Sequence, residues 1–396
     1  MSILRNNFLG MDFENPFLLA PGILTADSEK TIEAFRTGWG GVVMQTISVS
    51  PTVNSTPREK IIRSGRTKWG VVDHASVSRL SLAQYTQEIN KIRDVFPDRP
   101  LLTSIFGGDE IEQWQEIVKK LEPHGISAIE IDSGLQAFAS NGTGFSELGQ
   151  DNEALGNVVN AVCASTALPV VVKLSPNVTD IVVFARTARD AGADGFTATS
   201  GLLGVGGIDP DTLLPMPSGN VEHLVSRYHG AGLRPVALRW TANIAKELTA
   251  PIFGCGGVAV WQDAAEFLSV GASAVQVGSA AEWNGIQIID ELNSGLEAYL
   301  ERRSFNMVKD VIGKALPNIV EFSDLDLEIQ MIATIDESLC TGCNVCVRAC
   351  ADGGFQAISI EDDIAHVDVM KCDGCGLCIY VCPPDIIQLV LRDDIN

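Results

Sequence analysis

Eight cysteines near the end of the chain carry the strongest chemical signal. Cys340, Cys343, Cys346 and Cys350 form one run, and Cys372, Cys375, Cys378 and Cys382 form a second. Each is spaced C-x2-C-x2-C-x3-C, and Pro383 follows the second. A cubane cluster needs four thiolates converging on a small volume, and two-residue gaps let one tight loop present three of them. This is the ligand pattern of bacterial ferredoxins with two [4Fe–4S] clusters, in which the fourth cysteine of each run serves the other cluster. Cluster 1 is therefore expected on Cys340, Cys343, Cys346 and Cys382, and cluster 2 on Cys372, Cys375, Cys378 and Cys350. Structural zinc would use ligands in pairs and leaves the C-x2-C-x2-C triplets unexplained. The expected chemistry is single-electron transfer.

A second set of residues could bind phosphate. The stretch Phe253-Gly-Cys-Gly-Gly-Val-Ala259 follows an apolar run and opens a helical one. A dinucleotide fingerprint belongs at the first βα turn, with an acidic residue about twenty positions on. Here the glycines come late, and Gly278-Ser279 ends the next apolar run. Loops after the seventh and eighth strands of a (β/α)8 barrel form its usual phosphate site. The backbone N–H groups of Gly256, Gly257, Gly278 and Ser279 can approach a phosphate without side-chain obstruction. A phosphate site in a chain that moves single electrons points to FMN, which exchanges electrons singly and delivers them in pairs as hydride. Lys173 ends another apolar run and would place a cation beside the flavin ring. The alternative for Lys173 is a structural pairing with a nearby carboxylate.

The elements that must position these groups follow one rhythm. Short β-branched runs at 15–20, 41–47, 100–106, 128–132, 169–174, 195–200, 251–254 and 274–278 alternate with amphipathic stretches such as 111–121, 181–191 and 260–270. Continuous apolar strands fit a parallel sheet covered on both faces. Eight such units predict an α/β fold, a (β/α)8 TIM barrel, with a doubly wound open sheet as the alternative. Gly192 and Gly271 stand where helices should end in a left-handed residue. Polar inserts at 48–68, 134–152 and 201–234 all follow strands, so they belong at the C-terminal mouth, where catalytic loops lie. The expected organisation is an FMN-binding barrel over 1–304, a connector over 305–332 and a bacterial-type 2[4Fe-4S] ferredoxin domain over 333–396.

Composition bounds the partners. Fifty acidic against 28 basic residues give a formal net charge of −22, which argues against nucleic acid and anionic membranes as ligands. No apolar run approaches membrane-spanning length, and no secretory leader is recognisable. Thiolate clusters suit a reducing compartment, so a cytoplasmic location is expected.

These residues carry a family resemblance. The chain resembles the dihydropyrimidine dehydrogenases, specifically their FMN/iron–sulfur subunit, within the dihydroorotate dehydrogenase superfamily. The resemblance covers nearly the whole chain. It is carried by Asn15-Pro-Phe17 with Ala20, by Lys173-Leu-Ser-Pro-Asn-Val-Thr-Asp-Ile181, by Thr197-Ala-Thr199, by Gly271-Ala-Ser-Ala-Val-Gln-Val277 and by Cys350-Ala-Asp-Gly-Gly-Phe-Gln-Ala-Ile358. It implies FMN held by Ala20, Gln45, Lys173, Thr199, Ser200, Gly230, Gly256, Gly257, Gly278 and Ser279. It also implies an NAD(P)H/FAD-binding flavoprotein subunit or a ferredoxin as electron donor, and a homodimer or heterotetramer.

The chain departs from the family where the substrate is read. The family's second-strand lysine is replaced in Met44-Gln45-Thr46. Its Asn-Leu-Ser-Cys-Pro motif, with an Asn that holds the pyrimidine and a Cys that protonates it, reads Asp132-Ser-Gly-Leu135 here. The family's Thr-Ala-Thr-Asn ends in Ser200. The candidate acid–base groups are thus Asp132, Ser133, Ser140 and Lys173, with Ser146, His74, His223 and His229 as further alternatives. Cys163 and Cys255 read as packing. The expected activity is reduction, or formation, of a conjugated C=C bond in a small cyclic amide or related carbonyl compound, with uracil disfavoured. The alternatives are an electron-transfer subunit without its own substrate turnover, and a uracil/thymine reductase whose acid has moved.

Overall fold

The computed structural model describes residues 2–49, 59–73, 77–135, 147–215 and 226–395. The chain divides into two compact units, Met1–Asn318 and Ile319–Asn396. The division falls within the stretch read as a connector. Residues before it belong to the first unit: Val308 and Val311 are buried in its core, and the Val308 N–H donates to the Ile3 carbonyl at 3.1 Å.

The first unit is a closed eight-stranded barrel. Its strands are β1 (Phe17–Leu19), β2 (Gly41–Ile47), β3 (Leu101–Ile105), β4 (Ala128–Asp132), β5 (Val170–Leu174), β6 (Gly195–Ala198), β7 (Ile252–Cys255) and β8 (Ala274–Val277). Each pairs in parallel with its sequence neighbours, and β8 closes on β1 with Val275 opposite Phe17. The open-sheet alternative is excluded by that closure. All eight expected strands form, most trimmed at one or both ends.

Helices α1 (Ser28–Thr37), α2 (Leu82–Val95), α3 (Ile111–Leu121), α4 (Asn152–Cys163), α5 (Ile181–Asp190), α6 (Arg234–Glu247) and α7 (Trp261–Ser269) follow successive strands. The starts of α1, α2, α4 and α5 carry side-chain caps: the Lys30 N–H donates to Asp27, the Gln84 N–H to Ser81, the Ala154 N–H to Asp151 and the Val182 N–H to Asp180. Each such cap is worth about 1 kcal/mol. Gly192 and Gly271 are left-handed, at φ 111° and 108°. The outward face of each strand buries branched side chains against this helical ring, among them Val42, Ile129, Val172, Phe196 and Val275. Each contributes about 1.5–3 kcal/mol by leaving water.

Strand residues alternate between faces, which layers the barrel interior. The lowest inward layer is apolar: Leu18, Val43, Leu102, Ala128, Val171, Phe253 and Ala274. A short N-terminal hairpin packs Met11 and Phe13 into it, and so closes the lower end. Two residues further along each strand the interior turns polar, with Ser104, Glu130, Lys173 and Gln276, and Thr197 at the same level on β6. Strand β2 carries a register shift between Met44 and Ile47. Thr46 therefore occupies this layer, bonded to Ser104 at 2.8 Å.

The mouth inserts contain structure that the sequence reading left as loop. Glu59–Ser64, Thr67–Asp73, Ser226–His229 and Leu202–Gly204 form a four-stranded antiparallel sheet. It joins the insert after β2 to the insert after β6.

In the second unit Met331–Ile335 pairs with Ile387–Leu391, and Ile358–Glu361 pairs with Ile364–Val367, both antiparallel. Helices α8 (Val345–Asp352) and α9 (Leu377–Val381) start inside the two cysteine runs. The residues before them match as a repeat: Gly342 and Asn344 are left-handed, as are Gly374 and Gly376. Among the described residues of the chain, no helix is long and apolar enough to cross a membrane.

Candidate active site and cluster module

The C-terminal mouth of the barrel opens into a cleft, on the face where such barrels place their active sites. Its walls bring together Ala20, Asp132, Lys173, Thr199, Ser200, Gly230, Gly256, Gly257, Gly278 and Ser279. These come from the ends of six barrel strands and from the insert after β6, far apart in sequence. Gln45 is not among the lining residues; on β2 that place is taken by Thr46, as the register shift dictates. Ser133 lies behind the wall. It is fully buried, and its hydroxyl donates to the Lys173 carbonyl at 2.7 Å. Ser140, Ser146, His74 and His223 lie outside the described residues. His229 borders the cleft, with Nε2 3.2 Å from Asp73 Oδ1.

The glycine-rich turn after β7 is shaped for close approach. Gly257 has φ +79°, and a Cβ there would lie 2.7 Å from the Gly230 carbonyl oxygen. Asp263 holds the segment beyond it, accepting from the Ala259 and Val260 N–H groups at 2.8 and 3.1 Å while paired to Arg234. Just beyond the neighbouring strand β6 the Ser200 hydroxyl is buried and makes no hydrogen bond among the described residues. Gly134 abuts it so closely that a Cβ would lie 1.8 Å from Ser200 Oγ.

Lys173 is buried at the end of β5. Its ammonium donates to Glu130 Oε1 at 3.1 Å and to Gln276 Oε1 at 2.9 Å. The second Glu130 oxygen accepts from Thr197 at 2.7 Å and from Gln276 Nε2 at 2.6 Å. Both readings of Lys173 thus describe the same side chain, which is carboxylate-paired and also borders the cleft. Burial pushes the ammonium down, but Glu130, Cys255 and Asp132 together hold it above its ordinary value.

Asp132 accepts from the Gly134 N–H at 3.2 Å and is almost fully buried. Burial raises its carboxyl above the ordinary carboxylate range, against the pull of Arg227 and Lys173. Glu147 is raised for the same first reason, although Ser175 and Asn177 donate to it. Leu135, where the family resemblance places a cysteine, is buried in the cleft wall. Cys255 also borders the cleft, beside Lys173, and burial pushes its thiol up.

Several site residues escaped sequence reading. Glu130 and Gln276 were legible in principle, since they sit at the inward parity that Lys173 defines on its own strand. Arg227, Asp73 and Glu147 carried no such signal, because their places depend on how the inserts fold over the mouth.

In the second unit the cysteines ring two separate hollows. One is lined by Cys340, Cys343, Cys346 and Cys382, the other by Cys350, Cys372, Cys375 and Cys378. Among the described residues, no three His, Cys, Asp or Glu side chains converge tightly enough for a single metal ion. Thiols spread around a hollow suit a polynuclear cluster. Backbone N–H groups of Ala333, Ala357 and Ala365 already donate to Cys372, Cys350 and Cys340 at 3.2–3.4 Å. Such N–H···S bonds tune cluster potentials.

A closed barrel with a glycine-lined cleft that holds a buried lysine, together with a thiolate-rich module, defines an iron–sulfur oxidoreductase. The chain belongs to the dihydroorotate dehydrogenase family, whose model matches residues 3–300, and a model described as a 4Fe-4S dicluster domain matches residues 333–389. It is an oxidoreductase of the class acting on CH–CH bonds, in a flavin-binding family. It is 32% identical to the NAD-dependent dihydropyrimidine dehydrogenase subunit PreA of Escherichia coli K12, over 90% of this chain and 87% of that one. It is 35% identical to the catalytic subunit of dihydroorotate dehydrogenase B (NAD(+)) from Thermococcus kodakarensis, over 79% and 98% of the two chains. The chloroplastic dihydropyrimidine dehydrogenase (NADP(+)) of Arabidopsis thaliana is 28% identical, over 80% and 78%.

The cleft fits a flavin mononucleotide. It offers a glycine cradle that side chains would fill, a buried cation, and the buried Ser200 oxygen, which has no hydrogen-bond partner among the described residues.

Proposed function

We propose that this chain is an FMN- and iron–sulfur-dependent dehydrogenase that reduces, or forms, a conjugated C=C bond in a small cyclic amide or related carbonyl substrate. The observation that carries the reading is the convergence on one cleft of Lys173, the glycines after β7 and β8, and the buried Ser200 hydroxyl. When bound, FMN supplies hydride to carbon and exchanges electrons one at a time. Gly256, Gly257, Gly278 and Ser279 would hold its phosphate through backbone N–H groups. Lys173 would place positive charge against the electron-rich edge of the ring. Asp132 and Ser200, beyond it, face the space left for substrate. Asp132, with its carboxyl raised by burial, would hold a proton for the substrate. The two cysteine hollows would each hold a [4Fe–4S] cluster and carry electrons singly.

Metal and flavin analysis of anaerobically prepared protein tests this reading. About eight iron atoms and about one FMN per chain are expected. Zinc in place of iron, or well-folded protein without flavin, would overturn it.

The donor is proposed to be a separate NAD(P)H/FAD-binding flavoprotein subunit or a ferredoxin. Two relatives are named as subunits, and the glycine turn after β7 is not in a dinucleotide-binding setting. In stopped-flow absorbance, NADH alone is expected to reduce the flavin slowly or not at all, and addition of a flavoprotein partner to accelerate it. Fast reduction by NADH alone would refute the partner requirement.

One observation favours a second reading, an electron-transfer subunit without its own turnover. Leu135 presents hydrocarbon to the cleft where the resemblance implies the acid. Bleaching or reoxidation of the flavin by a panel of cyclic amides separates the two: no response to any member favours the second.

A further inference from the structure

We propose that Glu130 and Gln276 are positioning residues for Lys173, which keep its ammonium charged and turn its third N–H towards the cleft. This rests on the reading that the cleft holds FMN. An ammonium has three donors and no acceptor. Two are taken from the layer below, by Glu130 Oε1 at 3.1 Å and Gln276 Oε1 at 2.9 Å. Lys173 borders the cleft, so the third donor is the one a ligand can use.

The layer below admits little variation. Glu130 has no exposed surface and accepts on both oxygens. Gln276 is fixed in orientation, since its amide nitrogen donates to Glu130 at 2.6 Å and its oxygen accepts from Lys173. A neutral amide at position 130 breaks the ring whichever way it turns. Its NH2 group would face either the ammonium or the NH2 of Gln276, donor against donor.

Charge makes the same demand. A buried ammonium without a counter-charge sheds its proton. Three groups from the surrounding barrel wall oppose that, Glu130 and Asp132 on the adjacent β4 and Cys255 on β7, two strands away. Arg227, from the mouth sheet, acts on Asp132 instead. Glu130 leads the opposition, so its loss leaves burial dominant and moves the Lys173 titration down. A purely structural ion pair would alter stability and leave the flavin's potential alone.

The test uses the holoprotein and protein stripped of flavin. The dissociation constant for FMN and the flavin midpoint potential between about pH 6 and 10 are measured for the natural protein, Glu130→Gln, Lys173→Met and the double variant. Glu130→Gln is expected to weaken FMN binding at least tenfold. It should also add to the potential–pH plot an inflection that the natural protein lacks. Neither effect should deepen the Lys173→Met phenotype in the double variant. An unchanged potential–pH plot, or effects that persist without Lys173, overturns the inference while leaving the FMN reading intact. Well-folded natural protein that binds no FMN overturns both. Should Glu130→Gln fail to fold, Gln276→Leu removes one acceptor of the same ammonium. It should weaken FMN binding in the same direction, and unchanged binding would count against the proposal.

Discussion

Reduced protein is expected to turn over uracil about 10²–10⁴-fold more slowly than the Asp132→Asn plus Leu135→Cys variant, because general acid catalysis commonly supplies that factor. The resemblance implies an amide at position 132 that both donates to and accepts from the pyrimidine, and a thiol at 135 that protonates the ring. Here Leu135 lines the cleft with no proton to give. Asp132 in its ionised form can only accept hydrogen bonds. A uracil carbonyl set against it meets like partial charge, at a cost of about 1–3 kcal/mol for the unpaired buried contact. The pH dependence separates these causes. Burial holds the Asp132 carboxyl above its ordinary range, so its protonated, donating form is populated at and below that raised value and lost as pH rises through it. Uracil reduction by the natural protein should therefore climb as pH falls from the alkaline side through that raised value, and Asp132→Asn should flatten the rise. Steady-state rates with both proteins across that range decide. Efficient reduction of uracil by the natural protein at neutral pH would show that a different residue supplies the proton.

The parts of this site legible in sequence are those fixed by local rules. The eight strands declared themselves because a buried parallel strand is a short, branched, apolar run, and Lys173 stood out as a charge at the end of one. The glycines after β7 and β8 were legible because a backbone that must come close to another group leaves no room for a side chain. The cysteine hollows followed from spacing alone. What escaped depends on tertiary packing. Gln45 and Thr46 exchange roles through a register shift in β2, which no periodicity in that strand announces. Arg227 and Asp73 meet only because two inserts more than a hundred residues apart pair as one sheet. Glu130 and Gln276 lay within reach of a parity argument, and a continuous apolar reading of their strands hid them.

Substituting one cysteine tests the module with an almost binary outcome. Cys382→Ala is expected to lose the same cluster as Cys340→Ala, and Cys350→Ala the same cluster as Cys372→Ala. Adjacency in sequence predicts the opposite grouping, since Cys382 follows Cys378 closely and Cys350 follows Cys346. The hollows favour the crossed pairing: Cys382 lines the one that contains Cys340, Cys343 and Cys346, and Cys350 lines the one that contains Cys372, Cys375 and Cys378. The reason is local geometry. In each run the first three cysteines border a tight turn with left-handed residues at Gly342 and Asn344, or Gly374 and Gly376. The fourth lies at the far end of the short helix that this turn starts, and so reaches the neighbouring hollow. A cubane that loses one of four thiolates is left with an open iron, so each variant should fall from about eight iron atoms to about four, with flavin content unchanged. Electron delivery from an external donor to the flavin should fall with the cluster lost. Iron analysis gives the number, and electron paramagnetic resonance of the reduced variants gives the identity, because the two surviving clusters sit among different N–H···S donors. If the spectrum of Cys382→Ala matched that of Cys372→Ala and not that of Cys340→Ala, each run would hold its own cluster and the crossed assignment would be wrong.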